Sequence, residues 1–142
     1  MSDPGSQPPI LIASPDESVR EVLARLVETA GHEAVRLDPA VDVPDAVVAT
    51  IAAGLVLDLG GSNQSVLEAV RRRTEATAAN VRIIVIGSGP AGGRLALQAG
   101  ADGFLVRPFH ARELQDALSD ALARNEVARH SWRMATGASL ES

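Results

Sequence analysis

Three runs in this chain, Ile10-Leu11-Ile12, Leu55-Val56-Leu57 and Ile83-Ile84-Val85-Ile86, are apolar at every position. A strand with one face in water alternates polar and apolar residues, so runs of this kind are strands covered on both faces. Helices must do the covering, and a helical pattern follows each run. The full alternation predicts strands over Ile10–Ala13, Glu33–Leu37, Leu55–Asp58, Arg82–Ile86 and Gly103–Val106. It predicts helices over Asp16–Ala30, Pro44–Ala53, Asn63–Ala78, Ala91–Ala99 (the fourth) and Ala111–Arg124 (the fifth). The first helix has the clearest stripe, with Val19, Val22, Leu23, Leu26, Val27 and Ala30 on one side and Gly31 as its stop. Glu33-Ala34-Val35-Arg36-Leu37 does alternate, which suits an edge strand. Five such units predict an α/β, flavodoxin-like, doubly wound parallel sheet of strand order 2-1-3-4-5. Any site then sits at the carboxyl ends of strands one, three and four.

With 142 residues the chain holds one core, which gives a domain over residues 10–124, a disordered tail over 1–9 and a C-terminal helical extension and tail over 125–142. There is no Cys, and His32, His110 and His130 lack metal-ligand spacing, so no metal centre is expected. All thirteen basic residues are Arg, which excludes any mechanism that uses a lysine ammonium. A net charge of −5 argues against nucleic acid as a partner. The N-terminal residues lack a signal-peptide core and no run approaches the ~20 apolar residues of a membrane span, so a soluble cytoplasmic protein without a membrane partner is expected.

Ile10-Leu11-Ile12 leading into Asp16-Glu17-Ser18-Val19-Arg20, Leu55-Val56-Leu57-Asp58-Leu59, and Gly100-Ala101-Asp102-Gly103-Phe104-Leu105-Val106-Arg107-Pro108-Phe109 together resemble the receiver domain of bacterial response regulators, CheY-like in type, over roughly residues 10–124. In that family an acidic pair after the first strand and a phosphoaccepting Asp after the third hold Mg²⁺. A Thr or Ser after the fourth strand and a Lys after the fifth bind the phosphoryl oxygens. The resemblance places Asp58 at the phosphoacceptor position. It places Ser14 and Pro15 at the acidic pair, Gly87 at the hydroxyl residue with Ser88 after it, and Arg107 at the lysine, so four of the five chemical positions depart.

Phosphoryl transfer depends on electrostatic compensation of crowded negative oxygens. One carboxylate is a poor magnesium site, so the resemblance, with these departures, implies no catalytic residues, no Mg²⁺ cofactor and no phosphotransfer. Ser14-Pro15-Asp16-Glu17 reads instead as a capping box with Ser14 as N-cap and Pro15 at the first helical position. Asp58 and Arg107 are expected to form a charge-assisted pair across the crevice. The Arg107-Pro108 bond is expected to be cis, as in the family's corner, and Phe104, which swings between buried and exposed positions in the family, is expected to pack as core.

Gly87-Ser88-Gly89-Pro90-Ala91-Gly92 resembles a dinucleotide fingerprint, but it follows the fourth strand and opens a helix of only about nine residues, which argues against dinucleotide binding. A weaker reading has Gly60, Gly61, Gly87, Gly89, Gly92 and Gly93 bordering one crevice able to take a small anion. Arg71-Arg72-Arg73 reads as a solvated helix face supported by Glu68 and Glu75. The spacings Asp120/Arg124 and Glu126/His130 favour prolonging the last helix, with Trp132 either facing a partner or folded back.

The functional expectation is an atypical receiver-like signalling module, not an enzyme. It would bind a protein partner, a signalling protein or a separate output or kinase chain, without its own phosphorylation. The expected surface is the fourth helix, fifth strand and fifth helix with the extension, including Phe104 and Trp132, with a homodimer through the same face. No output segment is expected after the domain, so any transcriptional effect is expected to need another chain. A small-ligand or nucleotide sensor built on the crevice, and a phosphorylatable receiver, are the alternatives.

Overall fold

The computed structural model describes residues 8–90 and 92–141, so the tail expected over residues 1–9 lies almost wholly outside the described residues, as does Ala91. Five parallel strands, β1 (Ile10–Ala13), β2 (Ala34–Arg36), β3 (Gly54–Leu57), β4 (Arg82–Gly87) and β5 (Gly103–Val106), form one sheet in the order β2-β1-β3-β4-β5. This is the flavodoxin-like order expected from the sequence. The helices are α1 (Glu17–Thr29), α2 (Val43–Thr50), α3 (Asn63–Arg72), α4 (Ala76–Asn80), α5 (Gly92–Gln98), α6 (Ala111–Ala123) and α7 (Glu126–Glu141), with a 3₁₀ turn over Gly60–Ser62.

The uniformly apolar strands divide their side chains between two cores. Leu11, Leu55, Leu57, Ile83 and Val85 point to the face covered by α2 to α5, and Ile10, Ile12, Val56, Ile84 and Ile86 to the face covered by α1 and α6. Each of these side chains is almost fully enclosed, and burial of a residue of this size stabilises by about 1.5–3 kcal/mol. Parallel register sets Leu57 beside Ala13 and Val85, and Gly87 beside Val106, so the ends of β1, β3, β4 and β5 meet at one mouth. A Cβ at Gly103, where β5 starts, would lie 2.6 Å from Ile84 Cδ1, so glycine there spares a buried side chain a displacement.

Three expectations about helices need correction. The N-cap of α1 is Asp16, whose carboxylate accepts the N–H groups of Ser18 and Val19, and not Ser14. A carboxylate is at least as good a cap as a hydroxyl, and the mouth holds Ser14 in another role. The helix predicted over Asn63–Ala78 is two helices, because Arg73 is extended (φ −67°, ψ 146°) and turns the chain into α4. The last helix is not prolonged: Arg124 is extended, and α7 leaves at a new angle with Asn125 Oδ1 accepting the Ala128 N–H at 2.9 Å. Among the described residues no helix is long and apolar enough to cross a membrane.

Candidate functional site

The mouth of the sheet is organised around Asp58, the residue that follows β3. Its backbone N–H donates to Ala13 O at 2.9 Å, which extends the β1–β3 ladder by one rung and aims the carboxylate into the crevice. The carboxylate is 6% exposed and its Oδ2 has two partners. Ser14 Oγ donates to it at 3.1 Å, and Arg107 Nη2 forms an ion pair with it. Arg107 arrives from the far side, where its own N–H donates to Gly87 O at 3.0 Å, and the following bond to Pro108 is cis.

The neighbouring positions face elsewhere. Pro15 is exposed and offers no side-chain oxygen, and Asp16 spends its carboxylate on the α1 N-terminus. Arg20 Nη1 donates to Ser14 O at 2.8 Å, which places a cation on the β1 loop where an acidic pair would hold a metal. Among the described residues no three His, Cys, Asp or Glu side chains converge. A divalent cation at this mouth would meet one carboxylate, already shared between a hydroxyl and a guanidinium, and one neutral oxygen. That donor set does not fit magnesium, which needs near-octahedral oxygen coordination anchored by carboxylates.

Beside Asp58 a cavity of about 400 Å³ opens between the loop after β3 and α5. Gly60, Gly61, Gly87, Gly89 and Gly92 border it with the exposed Ser88, Leu67, Val85, Leu95 and Ala96 give it an apolar wall, and Phe104 and Arg107 close one side. Phe104 is half-buried and belongs to the core on this face. Its ring occupies the space beside Gly87, so that a Cβ at position 87 would lie 2.9 Å from Phe104 Cζ. Asn63, at the start of α3, holds the loop in place: its Oδ1 accepts the Leu59 N–H at 2.7 Å and its Nδ2 donates to Ile86 O at 2.9 Å. The sequence reading missed Asn63, although a polar residue at a helix start six positions after a strand was the available signal.

No protein-family model matches the chain. A sensory/regulatory protein, RpfC, of Xanthomonas campestris is 29% identical over 138 residues, which cover 93% of this chain and 19% of that protein. The chain therefore spans about a fifth of the length of the curated relatives it matches. The receiver domain of a sensor histidine kinase from Pseudomonas aeruginosa, solved with a magnesium ion coordinated in its active site cleft, superposes with a TM-score of 0.68 at 16% identity, covering 84% of this chain and 100% of that one. A sensor protein from Polaromonas superposes with a TM-score of 0.70 at 21% identity, covering 82% and 96% of the two chains. This chain has the response regulator receiver fold.

On that fold the second polar centre is unexpected, because it lies at the opposite, amino-terminal end of the strands. Asp102, completely buried just before β5, gathers three guanidiniums. Arg71 of α3 is 2.9 Å from Oδ2, and Arg129 and Arg133 of α7 are 2.9 and 3.1 Å from Oδ1. Burial pulls the Arg71 guanidinium down to about 10, which leaves it cationic at neutral pH. Burial also opposes the charge on Arg129, but its hydrogen bond and attraction to Asp102 outweigh this and raise it. Arg71 is thus no part of a solvated face: it turns inward to Asp102 and to the carbonyls of Ala78, Val81 and Gly100. Only Arg72 is exposed, and Arg73 pairs with Asp45 and Glu75 rather than with Glu68. Trp132 folds back, half-buried, with the Arg124 guanidinium 4.2 Å from its ring centre. Neither Phe104 nor Trp132 stands free on the surface.

Proposed function

We propose that this receiver fold is a signalling module that recognises a protein partner without being charged at Asp58 and without a magnesium cofactor. The observation that carries the reading is the state of the Asp58 carboxylate. One oxygen of that carboxylate, Oδ2, is held by both Ser14 and Arg107, and among the described residues no three His, Cys, Asp or Glu side chains converge to hold a cation. A guanidinium fork matches a carboxylate well and competes for the same oxygens. The space beside position 87, where a phosphoryl-binding hydroxyl would stand, is filled by the Phe104 ring.

The partner class follows from the relatives, which include a sensory/regulatory protein and the receiver domain of a sensor histidine kinase. A signalling kinase or an output chain fits this reading, as does a second copy bound through α5, β5 and α6. Part of that face already carries α7, which packs on α5, while Leu95 stays 55% exposed beside it. The test is incubation of the full chain with acetyl phosphate and Mg²⁺, followed by intact mass measurement. No phosphoryl gain is expected, whereas a gain that disappears in Asp58→Asn would overturn the reading.

The cavity favours a second reading, a small-ligand sensor. Its rim is built from glycines, which let a ligand approach the backbone closely, and its wall is apolar. A rise in melting temperature with nucleotides would support this reading over the first.

A further inference from the structure

The arginine centre at the base of the sheet supplies the buried contacts that tie α7 to the domain, beside the half-buried Trp132. Among the described side chains of α7 the one that is buried is Arg129, while Val127 and Met134 are 76% and 65% exposed. The docking bonds come from two residues four apart on one helix face. Arg129 donates to Asp102 Oδ1 at 2.9 Å and to Ala79 O at 3.2 Å, and Arg133 donates to Gly100 O at 2.8 Å, Ala101 O at 3.1 Å and Asp102 Oδ1 at 3.1 Å.

Asp102 would not be stranded if α7 left. Its Oδ2 keeps Arg71 at 2.9 Å and the Ile83 N–H at 3.0 Å, both from the body of the domain. Oδ1 loses Arg129 and Arg133, but the carboxylate keeps a cationic partner, so the full penalty of an unpaired buried charge is avoided. The joint has a local support in the Asn125 cap of α7, and the rest of its support comes from outside. No Gly or Pro lies between Phe109 and Thr136, and local spacing favours one continuous helix. The break at Arg124 is held by tertiary groups: Arg82 donates to Ala121 O and Arg124 O at 3.0 and 2.8 Å, and Arg124 donates to Asp102 O at 2.7 Å.

We propose that the base of the sheet is a docking seat for a helix bearing two arginines four residues apart, and that α7 is its releasable occupant. In the docked state α7 covers part of α5. In the released state α7 runs on from α6 as one helix and uncovers that part of α5. The proposal stands on contacts remote from Asp58 and holds whether or not Asp58 accepts phosphate.

The chain lacks cysteine, so spin labels can be placed cleanly at Arg112→Cys and Met134→Cys, two exposed positions on α6 and α7 outside the seat. A straight helix separates these positions by about 33 Å, and the bent, docked arrangement is shorter. Pulsed dipolar distances are expected to show the short species in the labelled wild type. With Arg129→Met and Arg133→Met added, the released-to-docked ratio is expected to rise about tenfold or more, while a cooperative melting transition is retained. An unchanged distance in that variant would overturn the proposal. So would loss of the melting transition, since α7 would then be an indispensable part of the fold.

Discussion

Substituting Gly87 tests whether the crevice has closed around Phe104. A Cβ at position 87 would lie 2.9 Å from Cζ and 3.1 Å from Cε2 of the Phe104 ring. These are the far atoms of a half-buried side chain, so the ring can yield by tilting toward solvent. Full burial of such a side chain is worth about 1.5–3 kcal/mol, so tilting a half-buried ring forfeits about 1–1.5 kcal/mol. Against this, Gly87 has no positive φ, and Gly→Ala at such a site stabilises by about 0.4–1 kcal/mol through the unfolded chain. Gly87→Ala is therefore expected to destabilise the wild type by about 0.5 kcal/mol. In a Phe104→Leu background, where the clash is absent, the same change should stabilise by about 0.5 kcal/mol. Urea denaturation of the four proteins in a double-mutant cycle measures this reversal of sign. If Gly87→Ala changes stability equally in both backgrounds, Phe104 does not occupy the space of the missing hydroxyl.

Two further outcomes can be checked with single substitutions. Ile51, 66% exposed and left-handed at φ 53°, ends α2 in a conformation that a β-branched residue adopts only under strain, so Ile51→Gly is expected to raise stability by about 1 kcal/mol in the same urea assay. Arg107→Lys restores the residue type that the family carries after its last strand, but it adds no oxygen for a cation. It is expected to remain uncharged by acetyl phosphate and Mg²⁺ in intact mass measurements, and a phosphoryl gain from this one change would mean that the guanidinium, and not the missing donors, blocks the site.

The sheet was legible because burial on both faces leaves a one-line signature: Ile83 to Ile86 admits no polar residue, and the strand it predicts is there. The Asp58–Arg107 pair was legible for a different reason. Both residues end strands that the topology brings to one mouth, and opposite charges there have few other partners. Asp102 was not legible. In sequence it is one acid in a Gly-rich loop, and its partners are 31, 27 and 31 residues away on α3 and α7. The four-residue spacing of Arg129 and Arg133 was visible, but local i,i+4 charges pointed to a continuous helix. The structure bends the chain at Arg124 because several charge-assisted bonds to Asp102 and to carbonyls outweigh the few tenths of a kcal/mol that such helix pairs provide. The N-cap of α1 was misplaced by two residues for a related reason: Ser14 is drawn to Asp58, a contact 44 residues distant that no local rule contains.

The two polar centres act on one short strand. β5 spans four residues, roughly 13 Å, with Asp102 fixed at its start and Arg107 fixed just past its end. Phe104 sits between them, and its ring is further set by Gly87 on β4. A receiver that reports phosphorylation needs this strand and its aromatic to shift when Asp58 changes charge state. Here both ends of the strand are held by guanidiniums, one on a carboxylate at the mouth and three on a carboxylate at the base. On the proposed reading, with Asp58 inert, the variable part of the face formed by α5, β5 and α6 is whether α7 lies on α5. The proposed release of α7 would then move control of partner binding from the mouth of the sheet to the helix docked at its base.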